Sequence, residues 1–80
     1  MTTVQFASEE LSLTVNGEPR TVARGSTVAD LLHGLQLDPR QVVVEHNREI
    51  VHGTRPGDSL SRRLLSAGDV VEIVHFVGGG

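Results

Sequence analysis

The constraint that decides most about this chain is a run of seven residues, Leu11-Ser12-Leu13-Thr14-Val15-Asn16-Gly17. Apolar and polar side chains alternate with period two over the first five, the pattern of a strand with one buried face. Asn16 and Gly17 then both accept positive φ, and an Asn-Gly pair beside an alternating segment is the strongest short-range hairpin signal. Glu18 to Ala23 (EPRTVA) reads as the returning strand. Pro19 cannot donate to a ladder, so it belongs at the start of that strand or on an open edge.

Arg24-Gly25-Ser26 breaks the strand, and Thr27 to Leu35 (TVADLLHGL) follows as a short helix. Thr27 and Asp30 have capping-box spacing, with Asp in place of the usual Glu. Val28, Leu31, Leu32 and Leu35 fall at i, i+3, i+4 and i+7, one apolar stripe. So short a helix draws its stability from packing against a sheet. Gly34 weakens its last turn, and Asp38-Pro39 ends the segment.

Gln41 to His46 (QVVVEH) is a Val-rich strand whose three adjacent Val suggest partial cover on both faces. Asn47-Arg48 is a turn and Glu49-Ile50-Val51 a short return. Gly53 to Ser61 reads as loop, with Pro56-Gly57-Asp58 as a β-turn. Arg62 to Ser66 is expected to form one helical turn with Leu64 and Leu65 inward, and Ala67-Gly68-Asp69 another turn. Val70 to Phe76 is the last strand, with Val71, Ile73 and His75 on one face and Val70, Glu72, Val74 and Phe76 on the other. The order β-β-α-β-β-β, with one helix to cover one sheet face, requires the last strand to lie beside the first. That is an α+β, ubiquitin-like β-grasp: a mixed sheet of four to five strands with one main helix packed on one face. Residues 1–10 read as a mobile N-terminal extension, 11–76 as the domain and 77–80 as a flexible Gly tail.

Composition narrows the chemistry. The 80 residues carry 7 Lys+Arg and 10 Asp+Glu, a formal net charge of −3, with no Cys. Disulfides, thiolate metal sites and Cys nucleophiles are excluded. All seven cations are Arg, so Schiff-base chemistry and a P-loop Lys are excluded too. Aromatic content of 2% requires an aliphatic core and, with the acidic balance, argues against a nucleic-acid surface. No apolar run approaches the roughly 18 residues of a membrane span, and no signal peptide is visible. A cytoplasmic carrier or binding module, rather than an enzyme, is the expectation. His33, His46, His52 and His75 read as surface or edge imidazoles rather than a metal site. The carboxylates read as a solvated surface, and Arg62-Arg63 as a solvated turn that could meet an acidic partner or a phosphate.

The C-terminus is the remaining feature. Val77-Gly78-Gly79-Gly80 would present a mobile tail ending in a free carboxylate. Gly lacks a Cβ, so such a tail can thread a narrow channel. A carboxylate becomes an electrophile once ATP supplies a leaving group, as an acyl-adenylate. A frayed terminus or a tag remnant is the plain alternative.

Taken in order, Leu13-Thr14-Val15-Asn16-Gly17-Glu18, Gly25-Ser26-Thr27-Val28-Ala29-Asp30-Leu31-Leu32, Val43 to Val51, Gly68 to Val74 and Phe76-Val77-Gly78-Gly79-Gly80 resemble the ThiS family, sulfur carriers of thiamine thiazole biosynthesis. The resemblance covers roughly residues 11 to 80. It departs in the N-terminal extension and in a longer Gly53 to Ala67 connection. It implies that an E1-like adenylyltransferase, using ATP and Mg²⁺, adenylates the Gly80 carboxylate. Sulfur from a cysteine desulfurase route then gives a thiocarboxylate, which is passed to thiazole synthase. It also implies that partners grip the sheet near the last strand, with Phe76 and Val77 as an apolar collar and Gly78 and Gly79 as the threaded tail. Core packing is the alternative for Phe76 and Val77. The same fold and tail also occur in the molybdopterin-synthase small subunit and in ubiquitin-like protein modifiers.

Overall fold

The Asn16-Gly17 turn is where the chain first commits. In the computed structural model, which describes residues 9–51 and 60–76, Asn16 has φ 51 and Gly17 φ 80. Both are left-handed, as a type I′ hairpin requires. The turn joins β1 (Glu10–Val15) to β2 (Glu18–Ala23) in antiparallel register from Val15↔Glu18 to Glu10↔Ala23. Leu11, Leu13 and Val15 point to one face and are buried, as their alternation predicts.

The chain then enters α1 (Val28–Gly34) through Thr27. The capping box is complete. Thr27 Oγ1 accepts from the Asp30 N–H at 3.2 Å, and Asp30 Oδ2 accepts from the Thr27 N–H at 2.9 Å. Two further N–H groups of the first turn find carbonyls in a distant segment: Val28 donates to Arg63 and Ala29 to Leu60. The donors that a helix start leaves unpaired thus hold residues 60–65 against it. Val28, Leu31 and Leu32 are buried. The helix ends in a Schellman motif: the Leu37 N–H reaches the Leu32 carbonyl and the Gln36 N–H that of His33. Gln36, at φ 60, holds the left-handed position usually given to Gly.

A 3₁₀ turn at Pro39–Gln41 leads into β3 (Val42–His46). A second two-residue turn, Asn47-Arg48, leads to β4 (Glu49–Val51), and β5 (Val70–His75) completes the sheet in the order β2-β1-β5-β3-β4. β5 runs parallel to β1 and antiparallel to β3. The last strand therefore lies beside the first, in the mixed five-stranded sheet of a β-grasp. α1 and Leu60 and Leu65 cover one face; the core is wholly aliphatic among the described residues.

Two details differ from the sequence reading. Residues 60–65 form no helical turn. Leu65 is buried, but Leu64 forms a bridge with Thr27 and is 62% exposed. Leu60 to Arg62 form a turn, and backbone bonds from Val28 to Arg63 and from Leu65 to Ser26, on either side of the Leu64 bridge, set Leu64 outward and Leu65 inward. The three Val of β3 are also not covered alike: Val42 and Val44 are buried, Val43 is exposed. The expected extension at residues 1–8 and the Pro56-Gly57-Asp58 turn lie outside the described residues. Among those described, no helix is long and apolar enough to cross a membrane.

Candidate functional site

The two ends of β5 carry the features with chemical content. At its C-terminal end the ladder continues one step beyond the strand, where the Phe76 N–H donates to the Gln41 carbonyl at 3.0 Å. Phe76 continues the outer row Val70, Glu72, Val74 and is 44% exposed. It is therefore not a core residue, which leaves it free to act as the collar expected of it. Val77, Gly78, Gly79 and Gly80 lie outside the described residues.

At the other end of β5 is a cluster that sequence reasoning missed. Asp69, just before the strand, is buried against His46, the last residue of β3; His46 Nε2 lies 2.6 Å from Asp69 Oδ2. Oδ2 also accepts from the Ser66 N–H at 2.7 Å, and Oδ1 from Asn47 Nδ2 at 3.0 Å. Arg63 Nε lies 2.9 Å from His46 Nδ1. A guanidinium has no acceptor, so Nδ1 must accept and the ring proton sits on Nε2, directed at Asp69. Arg63 reaches on to Glu49 at 3.3 Å.

Burial pushes the Asp69 carboxyl up, but hydrogen bonds from His46, Asn47 and the Ser66 N–H outweigh it and hold the group below its ordinary value. Every polar atom of the carboxylate and both ring nitrogens are engaged, so the cluster has no free base to offer a substrate. It also stands a whole strand away from Phe76, about 22–24 Å at the rise of a β-strand. Its chemistry is that of a fastening: it ties residues 63–69 to the end of β3.

The expectation of surface imidazoles is corrected at His46. The reading of the carboxylates as a solvated face is corrected at Asp69, and that of Arg62-Arg63 as a solvated turn at Arg63; Arg62 is exposed. His33 and His75 are exposed as expected, and His52 lies outside the described residues. One signal was available for His46. It shares strand parity with Val42 and Val44, which places it on the core face.

The likeness to known proteins bears on the tail end. The model of the ThiS family matches residues 13–80, from the first hairpin through the final Gly. The chain belongs to the ThiS family. It is 46% identical over 54 residues to the sulfur carrier protein ThiS of Bacillus subtilis, covering 68% of this chain and 76% of that one. It is 43% identical over 70 residues to a thiazole synthase of Paramagnetospirillum magneticum and 37% identical over 70 residues to one of Magnetococcus marinus. In both cases the match takes in 88% of this chain and only 20% of the synthase. The crystal structure of the thiamine biosynthesis protein ThiS from Geobacter metallireducens superposes with a TM-score of 0.67 at 36% identity, covering 88% of this chain and all of that one (100%). The ThiS fold agrees with the β-grasp described above.

Proposed function

We propose that this protein is a sulfur carrier of thiamine thiazole biosynthesis, a co-substrate rather than a catalyst, with Gly80 as its reactive terminal residue. The observation that carries this reading is the family match, which spans residues 13–80. The fold suits the role: β5 is held at one end by the Asp69 cluster and leads at the other, past exposed Phe76, toward the Gly tail.

An oxygen of the Gly80 carboxylate attacks the α-phosphorus of ATP on an E1-like adenylyltransferase, which supplies Mg²⁺, and pyrophosphate leaves. A persulfide derived from a cysteine desulfurase then attacks the acyl-adenylate, AMP departs, and a partner thiol reduces the resulting acyl disulfide, cleaving its S–S bond to leave a disulfide on the partner and free the thiocarboxylate. The resulting thiocarboxylate gives its sulfur to thiazole synthase. That two proteins named thiazole synthase contain a segment similar to this chain supports the choice of acceptor. Gly78 and Gly79 place no Cβ in the path of the tail, and Phe76 and Val77 form the apolar collar at its base. The setting is the cytoplasm.

Intact-mass spectrometry tests this directly. Incubation with ATP, the adenylyltransferase and a sulfur source is expected to exchange one oxygen for sulfur at Gly80. Deleting Gly79 and Gly80 is expected to leave the circular dichroism spectrum unchanged and abolish the exchange. An unmodified wild-type chain in the presence of active enzyme, or a native polypeptide that continues untrimmed beyond Gly80, overturns the reading.

A further inference from the structure

β5 is the strand from which the Gly tail departs, and its two sides are held unequally. Val70 and Phe76 bond on the β3 side, to Asn47 and Gln41, whereas the Asp69 and Val71 carbonyls bond on the β1 side, to the Thr14 and Asn16 N–H groups. The ladder to β3 follows β5 to its end, from His46↔Val71 to Val42↔His75. The ladder to β1 consists of Thr14↔Val70 and Val15↔Val71 and stops there. The chain has turned away at Asn16, whose φ is 51. Where β1 has left, a hollow of about 260 Å³ opens, with Val15, Asn16, Leu35, Leu37 and Ile73 among its walls.

The Asn16 side chain spans that gap. Its Oδ1 accepts from the Ile73 N–H at 2.6 Å, and its Nδ2 donates to the Ile73 carbonyl at 3.1 Å. A side-chain amide carries a donor and an acceptor as a peptide unit does, so Asn16 stands in for the next residue of a strand that is no longer there. The two-sided hold on β5 is thereby carried past Val71 to Ile73, toward the tail. Strand ends open locally at little cost when few bonds hold them. Without the amide, the end of β5 would hang from β3 alone among the described residues, with the Phe76 to Gln41 rung as its last bond.

We propose that Asn16 is a positioning residue for activation of the tail: its amide keeps the end of β5 closed, so that the base of the tail reaches the adenylyltransferase already ordered. The inference rests on the carrier reading, which supplies the reaction. Asn16 acts on the tail through Ile73 and the rungs beyond it. An end that frays must be ordered again each time the tail is threaded. That cost falls on binding rather than on the chemical step. Its signature is a raised KM for the carrier at unchanged kcat.

Asn16→Gly removes the amide and keeps the turn, since Gly-Gly also suits a type I′ hairpin. Asn47→Gly removes the matching clamp on Val70, at the end of β5 away from the tail. Thr27→Ala, which opens the α1 cap, is a second reference should Asn47→Gly not fold. With the adenylyltransferase and ATP, pyrophosphate exchange is expected to give Asn16→Gly a KM about fivefold above wild type at equal kcat. Both reference variants are expected to keep the wild-type KM, although Asn47→Gly loses more of its thermal midpoint. In the carrier alone, hydrogen exchange at the Phe76 N–H, whose own partner is Gln41, is expected to be about fivefold or more faster in Asn16→Gly. An unchanged KM, an equal rise in a folded reference variant, or unchanged exchange at Phe76 overturns this inference and leaves the carrier reading standing. A wild-type chain that active enzyme does not adenylate overturns both.

Discussion

The two hairpins of this protein are built on the same device and put to different use. Each turns on an Asn in the left-handed region, and each Asn side chain reaches β5 where its own backbone has turned away. Asn16 donates from Nδ2 to the Ile73 carbonyl at 3.1 Å, and its Oδ1 accepts from the Ile73 N–H. That adds a rung to the parallel ladder in which Asn16 N–H already donates to Val71. Asn47 does the same for the antiparallel ladder: its N–H donates to the Val70 carbonyl and its Oδ1 accepts from the Val70 N–H at 2.8 Å. The difference lies in the remaining donor. In the first hairpin it serves the central strand, at the Ile73 carbonyl. In the second it enters the buried Asp69 cluster. One turn completes a ladder; the other closes a fold across 22 residues of sequence.

The comparison breaks first, and most heavily, at Asp69. Asp69→Ala leaves the His46 Nε2–H, the Asn47 amide and the Ser66 N–H without their acceptor in a buried place. A loss of about 3 kcal/mol is expected, read by urea denaturation. Asn16→Ala, which removes one pair of rungs at the edge of the core, is expected to cost about 1 kcal/mol. Equal losses would mean that the second turn is no more deeply engaged than the first.

Acid sharpens the same contrast. The Asp69 carboxyl is held below its ordinary value in the folded protein. Its contribution is therefore fully present above the unfolded value, near 3.8, and is lost as pH falls through the lower, folded one. Asp30, held down chiefly by the Thr27 N–H, and Asp38, held down by Arg40, add to the same limb but stand exposed. Stability of the wild type is expected to fall steeply below about pH 4, and Asp69→Asn to flatten that fall. A variant with the wild-type acid limb would locate the effect at the two exposed aspartates instead.

How much of this was legible follows from the range of each interaction. Asn16-Gly17, the Thr27 to Asp30 box and the Val28-Leu31-Leu32 stripe involve partners within a few residues, and spacing suffices to read them. The turn at Asn47-Arg48 was readable as a turn, but Arg48 does not advertise a left-handed backbone as Gly17 does. Its φ of 71 is imposed by the hairpin. His46 and Asp69 are 23 positions apart, and only the register of β3 on β5 brings them together. The same register sets Glu45 against Glu72. Leu64 was misplaced for a related reason: hydrogen bonds to a distant helix, not local preference, decide the conformation of residues 60–65.

The smallest expected effect tests what the two turns share. Gly17, at φ 80, has nothing within 4 Å of where a Cβ would stand. Gly17→Ala therefore isolates the backbone cost of a left-handed residue, about 1 kcal/mol of destabilisation. Arg48 already bears that cost at φ 71, with an exposed side chain. Arg48→Gly is thus expected to stabilise, by about 0.5 kcal/mol, because the extra freedom of Gly in the unfolded chain offsets part of the strain relieved. Thermal denaturation of the two variants side by side reads the opposite signs. Destabilisation by both would mean that the Arg48 side chain contributes more to the second turn than its backbone conformation costs.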